Sequence, residues 1–126
     1  MSPDVGIKNP AIYVKGDWAD LLVSGHKTIE TRTRPLPKAW LNRPLWIIKT
    51  GDGLSKVVAM VVFSECKKYD LESWEADEGK HLVPIDESGY VWTGKTPKYG
   101  WVVKGLVPVN PPVVAVGRPD IHHSPA

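Results

Sequence analysis

Residues 25–35, GHKTIETRTRP, crowd a lysine, a glutamate and two arginines into a stretch otherwise rich in β-branched residues. Arg32 offers a planar fork suited to a phosphate or a base edge, and Lys27 offers a mobile point charge. Glu30 adds something a phosphate does not need. A carboxylate accepts from an exocyclic amine or an imino proton, so its place among cations points to a site that reads a base as well as holding a backbone. The plainer alternative is an ion pair in which Glu30 meets Arg32 or Lys27 and only orients the mouth of a sheet.

Other residues could join such a site. The chain has six tryptophans, and stacking of an unpaired base on an aromatic ring contributes about 1–3 kcal/mol. Trp46 and Trp101 lie in apolar strand-like runs and Trp74 on an acidic helix-like run, so those three are assigned to the core. Trp18, just ahead of the motif, and Trp40, in a proline-rich connection, are the better stacking candidates, although core positions suit them too. Lys15 and Arg34 flank the motif and extend its charge. Lys98 and Tyr99 precede the last long strand and are placed opposite Lys15 and Lys27. If the site performs chemistry, Lys27, Glu30, Tyr99 and His81 are its candidate proton-transfer groups, and no spacing singles out a pair. His81 follows an acidic run and is expected at the surface. Neither the His122–His123 pair nor the acidic stretch 70–87 has metal-ligand spacing, so no metal and no cofactor is expected.

These side chains need elements to hold them. Ala11–Val14 is apolar enough for a strand. Asp17 is an N-cap candidate, with Asp20 three residues on, and Gly25 a stop signal, which predicts a helix over 18–24. KTIETR is predicted as a strand whose period of two places Thr28, Glu30 and Arg32 on one face and Lys27, Ile29 and Thr31 on the other. Same-face neighbours lie about 7 Å apart, close enough for Glu30 and Arg32 to pair or to converge on one ligand. Pro35 and Pro37 predict an extended connection. PLWIIKT is a strand, Gly51–Gly53 its turn, and residues 56–64 a central strand apolar on both faces. Asp70 and Gly79 bracket a short acidic helix, followed by a loop over 81–89. One weak and one strong strand signal flank a turn at Gly94–Pro97, and PPVVAV closes the fold as an edge strand.

The expected architecture is α+β, mainly β: a small barrel of about six strands with two short helices at its rim. Residues 11–117 form one domain, between an N-terminal arm, 1–10, and a flexible tail, 118–126. A single cysteine, Cys66, excludes an internal disulfide and suits a reducing compartment. With no apolar leader and no run approaching the roughly 18 apolar residues of a membrane span, the expected location is the cytoplasm, with no membrane partner. The net charge is only +2, but it is unevenly spread. Residues 26–49 carry six basic side chains against Glu30 alone, and residues 70–87 carry seven acidic ones against Lys80. Such a division suits one face for an anionic partner and another that repels it.

The succession of strand, short helix, SGHKTIETR and RPLP resembles the ASCH family, whose hallmark is G-x-K-x-x-E-x-R. Gly25, Lys27, Glu30 and Arg32 stand at the matching positions. The likeness is sharp over about ten residues and extends as pattern over residues 11–116. It implies a PUA-like barrel with Lys27, Glu30 and Arg32 lining a cleft, and RNA or a modified nucleotide or nucleoside as partner. Members include RNA binders, coactivator modules, RNA-cleaving enzymes and amidohydrolases acting on acetylated cytidine. The leading expectation is therefore a module that binds single-stranded RNA or a modified nucleotide. A ribonuclease or nucleoside amidohydrolase using the same cleft is the alternative, and a protein-interaction module presenting the acidic helix is a second one. The amidohydrolase branch carries a threonine nucleophile where this chain has Glu30, and a carboxylate does not supply that chemistry.

Overall fold

Residues 9–51, 53–84 and 92–115 are described by the computed structural model. Strand β1 (Ala11–Lys15) runs without a linker into helix α1 (Gly16–Ser24). There follow β2 (Ile29–Arg32), one 3-10 turn at Lys38–Trp40, β3 (Leu45–Thr50) and β4 (Lys56–Lys68). Two short helices, α2 (Leu71–Ala76) and α3 (Glu78–His81), precede the long β5 (Tyr99–Val114). Among the described residues no helix is long and apolar enough to cross a membrane. Apart from Asn9 and Pro10, the expected arm 1–10 lies outside the described residues, as does the tail 118–126.

The five strands form one sheet in the order β1-β3-β4-β5-β2, with β1 parallel to β3 and every other pair antiparallel. The β4–β5 ladder carries register shifts at Val57/Ala59, Val62/Phe63 and Phe63/Glu65. Such irregularities bend and twist a ribbon. The curl stops short of a barrel. The edge strands β1 and β2 share no ladder, and the Arg32 guanidinium spans between them instead, Nη2 donating to the Tyr13 carbonyl at 2.9 Å. The expected sixth strand is also absent among the described residues. PPVVAV is not a separate edge strand, because residues through Val114 continue β5 alongside β4. Of the weaker signal before Gly94, Tyr90 and Val91 lie outside the described residues, and Trp92 and Thr93 are irregular.

Both faces of β3 are covered, as its unbroken apolar run requires. Ile12, Val14, Leu45, Ile47, Phe63 and Trp101 pack with Ala19 and Leu22 of α1 in the main core, and Ala11, Trp46, Ile48 and Val57 form a second cluster. Tyr69, Trp74 and Trp92 make a third beneath α2 and α3. The core assignments of Trp46, Trp74 and Trp101 hold.

Local chemistry shifts several element ends. Helix α1 starts at Gly16 rather than at 18, and Asp17 sits in its first turn with Lys15 at the cap position. Asp20 makes no capping box and pairs with Lys49 of β3 at 3.0 Å. Gly25 does terminate the helix, at φ 85°, where a residue without Cβ is favoured. The two prolines do not keep the connection fully extended, since a 3-10 turn begins directly after Pro37, whose carbonyl accepts from the Trp40 amide and whose lack of an N–H costs nothing at that position. β4 runs four residues past the expected 64, to Lys68. Asp70 caps α2 as expected, in a reciprocal box with Ser73. Gly79 does not end the helical segment, which resumes as α3 and is capped by Leu82 in the left-handed region at φ 64°.

Of the described glycines, Gly100 has the least room for a side chain. A Cβ there would fall 2.7 Å from the Tyr69 ring and 2.8 Å from Ile29. Gly100→Ala is therefore expected to destabilise the fold by about 1–3 kcal/mol, by overpacking. Urea unfolding monitored by tryptophan fluorescence measures the shift in midpoint.

Candidate functional site

Past Gly25 the chain reverses and approaches β2 irregularly. The Lys27 amide donates to Leu21 O at 3.0 Å, and the Thr28 amide to Lys80 O at 2.9 Å. The strand itself begins only at Ile29. Alternation therefore does not reach Lys27, and the expected placement of Lys27 on the face opposite Glu30 and Arg32 is overturned: all three line one cleft. This cleft of about 410 Å³ opens where β1 and β2 face each other. It is lined by Tyr13 and Val14 of β1, Trp18 of α1, Lys27, Glu30, Thr31 and Arg32, together with Thr33 and Val83. Lys15 and Lys98 complete it.

The three motif residues are buried, at 2% (Lys27), 5% (Glu30) and 1% (Arg32) exposure. Arg32 Nε donates to Glu30 Oε2 at 2.8 Å, and the guanidinium lies over the Trp101 ring, 5.6 Å from its centroid. Both readings of the motif thus describe the same residues: Glu30 and Arg32 pair, and the pair lines a cleft. Breaking such a buried pair from one side costs about 3–5 kcal/mol, so replacing Arg32 perturbs folding and ligand contact together. Glu30 Oε1 has no hydrogen-bond partner among the described residues.

Lys27 Nζ donates to the carbonyl of His81 and lies over the Trp18 ring, 4.7 Å from its centroid. That face of the indole is occupied by a cation. Burial lowers the Lys27 pKa from 10.5 to about 8; Glu30 opposes the shift, and Arg32 and Lys98 add to it. The cleft gathers four cationic side chains (Lys15, Lys27, Arg32 and Lys98) around one carboxylate. Among the described residues no group of three or more His, Cys, Asp or Glu side chains could hold a metal ion.

Of the sequence candidates, Lys15, Trp18, Lys27, Glu30 and Arg32 line the cleft, and Arg34, Trp40 and Tyr99 do not. Arg34 is exposed and its carbonyl accepts from Trp101 Nε1 at 3.1 Å. Trp40 meets Trp101 edge-on at 6.5 Å, and Tyr99 packs against the main core. Lys98 lines the cleft together with Lys15 and Lys27 and also lies over Trp74, 5.2 Å from the ring centroid. Tyr13, Thr33 and Val83 carried no sequence signal. His81, expected at the surface, is fully buried and stacks on Trp74 at 3.9 Å, because α3 carries it under the acidic helix rather than into a loop.

The lowered pKa has a definite sign. Between about pH 8 and 10.5 the unfolded chain holds a proton on Lys27 that the folded chain has released, so the Lys27 contribution to stability rises with pH in that window. Below it, both states are charged and the burial cost is constant. NMR titration of Lys27 Nζ is expected to give a midpoint near 8, and chemical denaturation should show this rise with pH for the wild type against Lys27→Met. A midpoint at the ordinary lysine value would refute the burial.

No curated protein matches the chain. Its structural likenesses include a crystal structure of ASCH from Zymomonas mobilis, at 22% identity over 82% of this chain and 71% of that one, with a TM-score of 0.69. Two single-substitution variants of the Zymomonas mobilis protein align at 20% and 21% identity, over 85% of this chain and 75% and 76% of theirs, both with a TM-score of 0.69. At such identities the likeness establishes the fold. A sequence model of the ASCH domain matches residues 12–110. With the motif, the sheet and this match in agreement, the chain belongs to the ASCH domain family.

Proposed function

We propose that the cleft binds single-stranded RNA, or a modified nucleotide within it, with Glu30 reading the base and the lysines holding the backbone. The observation that carries this reading is a buried carboxylate with one oxygen that has no hydrogen-bond partner among the described residues, set among four cations in a nucleotide-sized cleft. Phosphate alone gives no reason to bury a carboxylate there, since it repels an anion. An N–H donor on a base does. Oε2 is committed to Arg32, so Oε1 is the oxygen open to a donor. That favours a base with a single N–H at the contacting edge, such as adenine or cytosine, over the paired donors of guanine. The ASCH membership supports RNA as the polymer.

The hydrolase reading is kept on one observation. Lys27 shares the cleft with the Glu30 carboxylate, and burial brings the lysine pKa down to about 8, close to working pH, where proton transfer is most effective. In that reading Lys27 and Glu30 are the proton-transfer groups. Glu30 still stands where the amidohydrolase branch has its nucleophile, so phosphodiester cleavage is the reaction proposed rather than deacetylation.

Fluorescence anisotropy with short labelled single-stranded RNAs at low salt tests the binding reading. Lys27→Ala is expected to weaken binding by about 1.5–3 kcal/mol, the loss of a charge-assisted contact. It should also flatten the slope of log affinity against log salt by about 0.7. Glu30→Gln should change the ranking of adenine, cytosine and guanine oligomers more than it changes the salt slope. Unchanged affinity in Lys27→Ala would overturn the assigned cleft. Denaturing gels of the same mixtures decide between holding and cutting: shortened products that disappear with Lys27→Ala identify the hydrolase.

A further inference from the structure

The buried imidazole behind the cleft is absorbed by none of the roles above. His81 Nε2 lies 2.8 Å from the carbonyl of Trp74, which can only accept. Its Nδ1 accepts from the Val83 amide at 2.9 Å. Together these contacts require the neutral ring with its proton on Nε2. The ring stacks on Trp74 with planes 16° apart and meets Tyr69 edge-on. The carbonyl of this same residue accepts from Lys27 Nζ. The next residue, Leu82, holds the left-handed conformation that leucine rarely adopts, and the one after, Val83, is a wall of the cleft. Ring, carbonyl and cleft wall thus occupy three consecutive residues.

We infer that His81 is a positioning residue for Lys27: its neutral ring fixes the carbonyl that seats the ammonium, and protonation of the ring releases that seat. The inference rests on the reading of the cleft as a nucleic-acid site. Protonation places a hydrogen on Nδ1 against the Val83 N–H, donor facing donor, so that bond must open. Without it, the ring keeps its Nε2 bond to Trp74 O and the Leu82 amide its bond to Glu78 O, but the ring no longer ties Val83 to the strained path through Leu82, and the imidazolium also faces Lys27. Asp77 and Glu78 at the start of α3 favour the charged ring, but Tyr69 and Lys67 already bind the Asp77 carboxylate. Burial, the larger cause, and the charge on Lys27 hold the ring's titration below 6.5.

The test compares wild type, His81→Asn and His81→Ala from about pH 5 to about pH 9, reading single-stranded RNA affinity and the NMR titrations of the His81 ring and Lys27 Nζ. Asparagine keeps an acceptor for the Val83 amide and does not titrate. Wild-type affinity is expected to fall about tenfold as the His81 ring protonates, the scale of one charge-assisted contact. His81→Asn should stay within about twofold of wild type at neutral pH and lose the acid decline, and His81→Ala should bind about tenfold more weakly there. Affinity that persists through the ring's titration, or an acid decline retained by His81→Asn, overturns the inference. Should His81→Ala fail to fold, wild type and His81→Asn decide alone. If wild type binds no RNA at any pH, the reading of the cleft fails, yet the coupling is still judged. A Lys27 Nζ resonance that follows the His81 titration in wild type supports it, and one that ignores it refutes it.

Discussion

One buried guanidinium stands where a backbone ladder would close the barrel. The curled sheet brings β1 and β2 face to face, but β2 is four residues long and pairs only with the start of β5. Arg32 fills the gap. It donates to the Tyr13 carbonyl on β1 and to Glu30 on its own strand, and lies over Trp101 in the core. A guanidinium suits this position because it stays charged, keeps several donors in one plane and packs flat on an indole. A lysine has neither the plane nor the fork. Since the gap is spanned by a side chain rather than sealed by strands, a cleft remains there, and the spanning residue is part of its floor.

The roof over that floor is a separate unit with its own aromatic packing. Tyr69, Trp74 and Trp92 hold α2 and α3 together, and Asp77 gathers the Tyr69 hydroxyl and Lys67 at the junction of the two helices. From this unit two backbone carbonyls reach the motif: Lys80 takes the Thr28 amide and His81 takes the Lys27 ammonium. Lys27 is thereby held in a place that does not favour its charge. A ligand anion would relieve that cost, so a lysine with a lowered pKa is poised to gain from binding.

Legibility in the sequence followed the range of the interaction involved. Gly25, Asp70 and the apolar runs act on their immediate neighbours, and they gave the stop of α1, the cap of α2 and the strands. Strict alternation along KTIETR misplaced Lys27, because its amide bonds to α1 and the next one to α3, contacts that no local pattern encodes. His81 looked like a surface residue for the same reason: its partners are its own carbonyl's distant ammonium and a tryptophan seven residues earlier. The motif itself was readable as charge chemistry, and Glu30 with Arg32 as a pair. That Tyr13 and Val83 line the same cleft depends on the parallel pairing of β1 with β3 and on the cap at Leu82, which only the folded chain displays. Open closure of the sheet was beyond sequence reading, since counting strands says nothing about whether two edges meet.

The central claim is the location of the ligand, and amide chemical-shift mapping addresses it without any substitution. Titrating a short single-stranded RNA into isotope-labelled protein at low salt should move the amides of residues 13–15, 27–33 and 83, leaving β4 and β5 near Lys56 and Val114 undisturbed. Perturbations centred on the acidic surface of α2, or on the far end of the β4–β5 ribbon, would contradict it.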